Sequence, residues 1–354
     1  MQWQDLIGHD RLKEWFQVAV RNGRLGSSFL FVGPSGIGKR AFARLLAKGL
    51  LCQQTASDNI EACGVCEACV QVEAGTHPDL IQVAKPPDRA FLPIELLIGE
   101  REKRMREGLC HDISLRPTYG GRKIAILDDA DALNVEGANC LLKTLEEPPS
   151  GSILILIGTS LQRQLPTIRS RCQALLFRPL SPEQLKQLLL RLGLAASPEQ
   201  SQELAERCGG SLDEAHLLAE PEMAEFQLWL NATLSQTQWP LIELSKHCGA
   251  IVDAAGKDAR VKRERLKLIF RMAAAYFREV VVMESQRTSD VEPSMVATPD
   301  GDLTRRTTDW KTGLQGATHA WQCCLQSMEY VDRNANQAAL LENWSADIAR
   351  YSGR

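Results

Sequence analysis

The spacing of apolar side chains changes sharply part-way along the chain. Residues 11–20 place them at helical intervals, and Ser27-Ser28-Phe29-Leu30-Phe31-Val32 then forms a short continuous apolar run ending at Gly33. A run of that length bounded by glycine predicts a buried strand. Helical spacing returns over residues 41–51. Further apolar runs at 80–83, 123–127, 153–157 and 174–177 predict four more strands. Ile153-Leu154-Ile155-Leu156-Ile157 is apolar on both faces, which suits a parallel sheet covered by helices on each side. Residues 130–147 read as one helix, stopped by Pro148-Pro149 because proline cannot continue the hydrogen-bond ladder.

From about residue 179 the strand pattern ends. Ser181-Pro182-Glu183-Gln184 is a helix start, with serine as N-cap, proline at the first helical position and glutamine three residues after the cap. Ser197-Pro198-Glu199-Gln200 repeats the signal, and Gly209-Gly210 closes that helix. A long helix is predicted over 257–284, with Leu266, Ile269, Phe270 and Ala273 on one face. The basic residues within 260–271 are expected on a solvated face beside that apolar stripe. Residues 285–308 are polar with proline and glycine and read as a loop, followed by helices over 314–330 and 337–351. The expected organisation is an α/β P-loop domain with a parallel sheet over 1–179, a small helical domain over 180–221 and an all-α domain over 222–354.

Composition narrows the function classes. The 354 residues are 24% charged and 44% hydrophobic, with a net charge of −3. That balance supplies no global field to draw nucleic acid to the isolated chain. No apolar run reaches the roughly 18 residues of a membrane span, and the first residues lack a signal-peptide pattern, so a cytoplasmic protein without membrane contact is expected.

Gly33-Pro34-Ser35-Gly36-Ile37-Gly38-Lys39 has the G-x-x-x-x-G-K spacing of a phosphate-binding loop, between a predicted strand and a predicted helix. The bland alternative is a glycine-rich turn. The next residue is Arg40, where a hydrolysing enzyme has Ser or Thr to coordinate Mg²⁺. A guanidinium has no lone pair for a metal. Gly33, Gly36, Gly38 and Lys39 therefore form a degenerate nucleotide site, suited to weak ATP or ADP binding rather than hydrolysis. Asp128, at the end of a strand, stands where such proteins hold Mg²⁺; it could equally cap the following helix. Thr159, at another strand end, could sense a γ-phosphate.

Of eleven cysteines, four cluster as Cys52-x10-Cys63-x2-Cys66-x2-Cys69. Four thiolates at this spacing match a structural Zn²⁺ site with no open coordination position; unliganded core or redox cysteines are the alternative. His77-Pro78-Asp79 lies outside that set and is expected to shape a turn. The other cysteines read as small buried hydrophobes.

These segments together resemble the delta-prime family of bacterial DNA polymerase III clamp-loader subunits. The resemblance rests on Gln4-Asp5-Leu6-Ile7-Gly8-His9, the loop at 33–39, the four cysteines, Gly75-Thr76-His77-Pro78-Asp79, Leu141-Leu142-Lys143-Thr144-Leu145-Glu146-Glu147-Pro148-Pro149, Ser170-Arg171-Cys172 and Arg333-Asn334-Ala335-Asn336 with Leu340 and Glu342. It implies an AAA+ fold, in which 180–221 is a lid and 222–354 an oligomerising collar. It also implies a pentameric ring with gamma/tau-type motor and delta-type subunits that places a sliding clamp on primed DNA. Arg171 would then be an arginine finger reaching a neighbour's ATP site. Two departures point to a subunit that does not hydrolyse ATP itself. Asp129 stands where an active relative has glutamate, and Gly210-Ser211-Leu212-Asp213 ends in aspartate where such relatives have arginine. A working motor ATPase and a zinc-module DNA-binding protein are the competing readings.

Overall fold

The apolar runs become the strands of one parallel sheet: β1 (Ser28–Val32), β2 (Leu80–Val83), β3 (Lys123–Leu127), β4 (Ser152–Gly158) and β5 (Gln173–Leu176). Their spatial order is β2-β3-β4-β1-β5, every ladder parallel. The computed structural model describes residues 1–56, 58–86, 89, 91–119, 121–236, 239–288, 313–333 and 335–352. These divide into two units, Met1–His216 and Leu217–Arg354.

Successive strand residues point to opposite faces of a sheet, and β1, β3 and β4 are buried on both faces. Phe29, Phe31, Ile124, Ile126, Ile153, Ile155 and Ile157 join one core with Phe16 and Phe42 from the helices Asp10–Arg21 and Lys39–Leu51. The alternate residues Leu30, Val32, Ala125, Leu127, Leu154 and Leu156 join a second core with Ala138, Leu141 and Leu145. The helix supplying those last three, Val135–Glu146, is shorter than the sequence pattern predicts. Residues 130–147 break into a turn at Ala130–Ala132, an extended Leu133 and then the helix, because Asn134 caps it by accepting from the amide of Gly137 at 2.8 Å.

Both serine caps form. Ser181 accepts from the Gln184 amide at 3.2 Å, and the Gln184 side chain returns the bond at 3.0 Å. Ser197 accepts from the Gln200 amide at 3.2 Å, but Gln200 bonds the amide of Ala196 instead of its cap.

Asp79 is the buried polar anchor of this unit, 1% exposed. Its carboxylate accepts from the amides of Thr118 (2.8 and 3.0 Å) and Tyr119 (3.3 Å) and pairs with Lys123 at 3.4 Å. Burial pushes its pKa up, but those amides and the Lys123 charge outweigh burial and hold it below the usual value. His77 shapes the turn, its Nδ1 accepting from the Asp79 amide at 3.0 Å.

The second unit is helical: Pro221–Leu234, Leu241–Ala254, Ala259–Thr288, Gly313–Asp332 and Gln337–Ser352. Leu266, Ile269, Phe270 and Ala273 are buried as their spacing requires. Phe270 meets Trp344 edge-on at 5.3 Å, and the Trp344 indole donates to the Cys324 sulfur at 3.3 Å. Arg265 corrects the expectation of a solvated basic face. It is 5% exposed, donates to the Ile251 carbonyl at 3.3 Å and pairs with Glu220 and Glu222. The long helix also continues through 285–288, residues that the polarity pattern assigns to a loop. The rest of that predicted loop, 289–308, lies outside the described residues, as do Ser57 and Asn334. Among the scattered cysteines, Cys140 and Cys172 are half-buried and the others buried. Burial raises the thiols of Cys110 to about 11 and of Cys172, Cys248 and Cys324 to about 12. Among the described residues no helix is long and apolar enough to cross a membrane.

Replacing Asp79 by alanine leaves a buried lysine and two amides without their acceptor. The expected loss is about 3–5 kcal/mol in chemical denaturation of the full chain, the scale for breaking a buried ion pair from one side. A change under about 1 kcal/mol would contradict the anchoring role.

Candidate functional site

In parallel α/β sheets, ligand sites form beyond the carboxyl ends of the strands, where the strand order reverses. Here β1 lies between β4 and β5, and its carboxyl end runs into the loop at 33–39. Asp128 follows β3 and Thr159 follows β4. The order of strands thus collects segments that lie more than a hundred residues apart in sequence.

The side chains of Lys39, Arg40 and Thr159 are all engaged within the chain. Lys39 opens the helix Lys39–Leu51 and is 7% exposed. Its ammonium donates to the carbonyls of Gly33, at 2.6 Å, and Pro34. Burial lowers its pKa, while the charges of Asp128, Asp131, Asp213 and Asp129 pull the other way. Arg40 directs both Nε and a terminal nitrogen at Oδ2 of Asp128. A metal at Asp128 would have to displace that guanidinium. Asp129 takes a left-handed conformation, φ 54°, directly after Asp128. Thr159 donates from its amide (2.7 Å) and its hydroxyl (2.6 Å) to Oδ2 of Asp131, whose other oxygen accepts from Gln164.

The helical segment after Gly210 closes over the loop. The Leu212 amide donates to the Gly36 carbonyl at 2.8 Å, and the Ser211 hydroxyl donates to the Ser35 carbonyl at 3.0 Å. Gly36 has φ +71°, and a Cβ there would come within 2.8 Å of the Asp213 carboxyl carbon. The Asp213 carboxylate therefore lies against the loop that would receive a phosphate. Gly38, at φ 94°, starts the helix from a conformation that side-chain-bearing residues avoid. His9 supports the loop from below: its Nε2 donates to the Ile37 carbonyl at 2.6 Å, and its ring packs edge-on against Phe177 and Phe42. Burial pushes its pKa below the ordinary 6.5.

Arg171 lies just beyond the short helix Pro166–Arg169 and is partly exposed. It pairs with Glu146 at 2.5 Å and donates to the Thr167 carbonyl and the Ser170 hydroxyl, both at 3.1 Å.

The four clustered cysteines converge, all sulfurs within 4.8 Å of one another. Cys52 and Cys66 sulfurs are 3.8 Å apart, and those of Cys63 and Cys69 are 3.9 Å apart. A tetrahedron with Zn–S of about 2.3 Å has sulfur–sulfur edges of about 3.8 Å. The donor set thus fits a tetrahedral soft metal ion. Burial opposes ionisation of Cys52, but hydrogen bonds from Thr55 and from the amides of Cys63 and Gln54 outweigh it and bring the thiol down to about 6. The cysteine loop packs back on the P-loop helix, where a Cβ on Gly49 would collide with the Ile60 carbonyl oxygen, and the Trp3 indole donates to that carbonyl at 2.9 Å.

Asp131, Gln164, His9 and Glu146 are the site residues that the sequence did not single out as chemistry. Only Asp131 carried a usable signal, as a further carboxylate three residues after Asp128.

Residues 8–181 match the family model described as DNA polymerase III, delta subunit. The DNA polymerase III subunit delta' of Pseudomonas aeruginosa is 42% identical over 158 residues, 45% of this chain and 44% of that protein. The subunit delta' of Bacillus subtilis is 33% identical over 215 residues, 61% of this chain and 60% of that protein. Over these regions the chain is similar to DNA polymerase III delta-prime subunits. The gamma/tau subunit of Mycobacterium bovis is also 35% identical over 188 residues, 53% of this chain and 30% of that protein. The matched regions span less than two thirds of each of these relatives. The first unit is thus a parallel-sheet domain carrying a P-loop-type sequence, and the second is helical.

His9 and His77 both have pKa values held below 6.5 by burial. The folded state therefore binds fewer protons than the unfolded chain just below pH 6.5. Stability is full above that pH and falls as pH drops through the depressed folded values. Thermal unfolding from pH 7.5 to 5.5 is expected to show a falling Tm, with a shallower slope for His9→Gln. A Tm that rises over that interval would contradict the assignment.

Proposed function

We propose that this chain is a stator-like clamp-loader subunit: it turns over little or no ATP itself and supplies Arg171 in trans to the ATP site of a neighbouring motor subunit. The observation that carries the proposal is the Arg40–Asp128 ion pair, which puts a permanent cation on the carboxylate that a Mg²⁺ ion would need. Asp213 against Gly36 adds like-charge repulsion toward any phosphate in the loop. Gly33, Gly36, Gly38, Lys39 and Thr159 retain the outline of a nucleotide site, so weak ATP or ADP binding without hydrolysis belongs to the proposal. A guanidinium suits the finger role because its planar fork of donors can span phosphate oxygens.

The proposed partners are gamma/tau-type motor subunits and a delta-type subunit. The sliding clamp and primed DNA are engaged through the assembled cytoplasmic complex. In this scheme residues 180–221 act as the lid and 222–354 as the collar. Cys52, Cys63, Cys66 and Cys69 hold a structural Zn²⁺ that ties the cysteine loop to the P-loop helix, a role supported by the sulfur spacings.

ATP turnover by the purified chain, alone and reconstituted with motor subunits, tests the division of labour. The chain alone should show negligible turnover, and Lys39→Ala should leave the complex near its wild-type rate. Arg171→Ala should slow the one adjoining site by about 10³–10⁵-fold, the usual worth of such a finger. Brisk turnover by the chain alone, or a harmless Arg171→Ala, would overturn the proposal. Elemental analysis should find about one Zn²⁺ per chain, and a strong chelator should lower the Tm, because metal binding is coupled to folding. Full-length Cys63→Ser should lose both the metal and the chelator response.

A further inference from the structure

The segment Leu141-Leu142-Lys143-Thr144-Leu145-Glu146-Glu147-Pro148-Pro149 has no part in the nucleotide pocket described above. It ends the helix Val135–Glu146 and presents Glu146 to Arg171. Nε and a terminal nitrogen of Arg171 both donate to Oε1 of Glu146, at 2.7 and 2.5 Å. The other terminal nitrogen donates to the Thr167 carbonyl and the Ser170 hydroxyl, both at 3.1 Å. A guanidinium has five N–H donors, so these bonds direct four of them toward the chain and leave one on the Glu146-bound nitrogen.

The base of this arm is rigid. The Arg171 amide donates to the Ile168 carbonyl at 3.1 Å, and Ile168 is fully buried in the second core, against which Cys172 packs. Glu146 stands on a helix whose preceding residue, Leu145, is buried in that same core. Both ends of the ion pair are thus mounted on one packed layer. The pair itself is partly exposed, with the Arg171 side chain at 32% and Glu146 at 49%. An ion pair exposed to that extent is weak, so a phosphate would displace it readily.

From this geometry we infer that Glu146 is a positioning residue for Arg171, holding the guanidinium ordered before a neighbour's phosphate arrives. The inference rests on the proposed finger role. A free arginine would lose its rotamer freedom on reaching the phosphate, whereas an arm ordered in advance has already lost it. Glu146 does not touch the phosphate; it acts only through Arg171.

The test uses full-length variants in the reconstituted clamp loader and follows the ATP site that receives Arg171. Glu146→Ala should lower kcat at that site by roughly 10–100-fold, the scale for a misplaced reacting group, with KM for ATP unchanged. Glu146→Gln retains an acceptor oxygen and should recover most of the loss. Adding Glu146→Ala to Arg171→Ala should cost nothing further, because the two residues act as one unit. A wild-type or raised kcat in Glu146→Ala, or additive losses in the double variant, would overturn the inference while leaving the finger intact. A harmless Arg171→Ala would instead remove the finger proposal and the inference with it. Equal Tm values for Glu146→Ala and wild type separate positioning from folding.

Discussion

A parallel sheet needs both of its faces covered, and that requirement organises the first unit. Alternate residues of β1, β3 and β4 enter two different cores, so neither face can be polar. Polar groups are displaced to the strand ends, where loops leave the sheet. The Asp128, Thr159 and Gly33 segments meet there because the order β2-β3-β4-β1-β5 puts the ends of β3, β4 and β1 side by side. The phosphate-binding outline is a consequence of this packing, and it persists although several of its chemical groups have changed.

What has changed is the disposition of charge. The usual logic of such a site leaves a lysine and a carboxylate turned toward an incoming metal–phosphate pair. Here Arg40 neutralises Asp128, Lys39 is drawn onto loop carbonyls, and Asp131 holds Thr159 through two hydrogen bonds. Asp213 adds negative charge where arginine would favour phosphate. Each substitution is modest alone. Together these contacts turn the side chains of Lys39, Asp128 and Thr159 toward partners within the chain.

The cysteine loop and the Asp79 turn address another constraint, the tethering of long excursions between strands. The chain from β1 to β2 includes the P-loop helix and the cysteine loop, which is drawn together by four sulfurs and by the Trp3–Ile60 hydrogen bond. The chain from β2 to β3 returns beside its starting point, where Asp79 gathers the amides of Thr118 and Tyr119 and the ammonium of Lys123. Small buried cores need such polar clasps where apolar contact is sparse, and a fully bonded clasp also specifies one loop path.

Much of this was legible in the residues in order. Continuous apolar runs announced all five strands, serine and proline announced two helix starts, and cysteine spacing announced a four-sulfur cluster, because each of these signals is local. The single helix read over 130–147 failed for a local reason too, since Asn134 offered a cap that apolar periodicity does not register. The solvated reading of Arg265 failed because burial of a charge depends on Glu220 and Glu222, more than forty residues away. In the same way, Arg40 could be seen to lack a metal-binding hydroxyl, but not to take Asp128 as its partner, 88 residues distant. The pairing of Glu146 with Arg171 was equally hidden. Sequence determined which chemical groups each segment carries; only tertiary packing decided which opposite charges meet, because strand order brings together residues that no spacing along the chain connects.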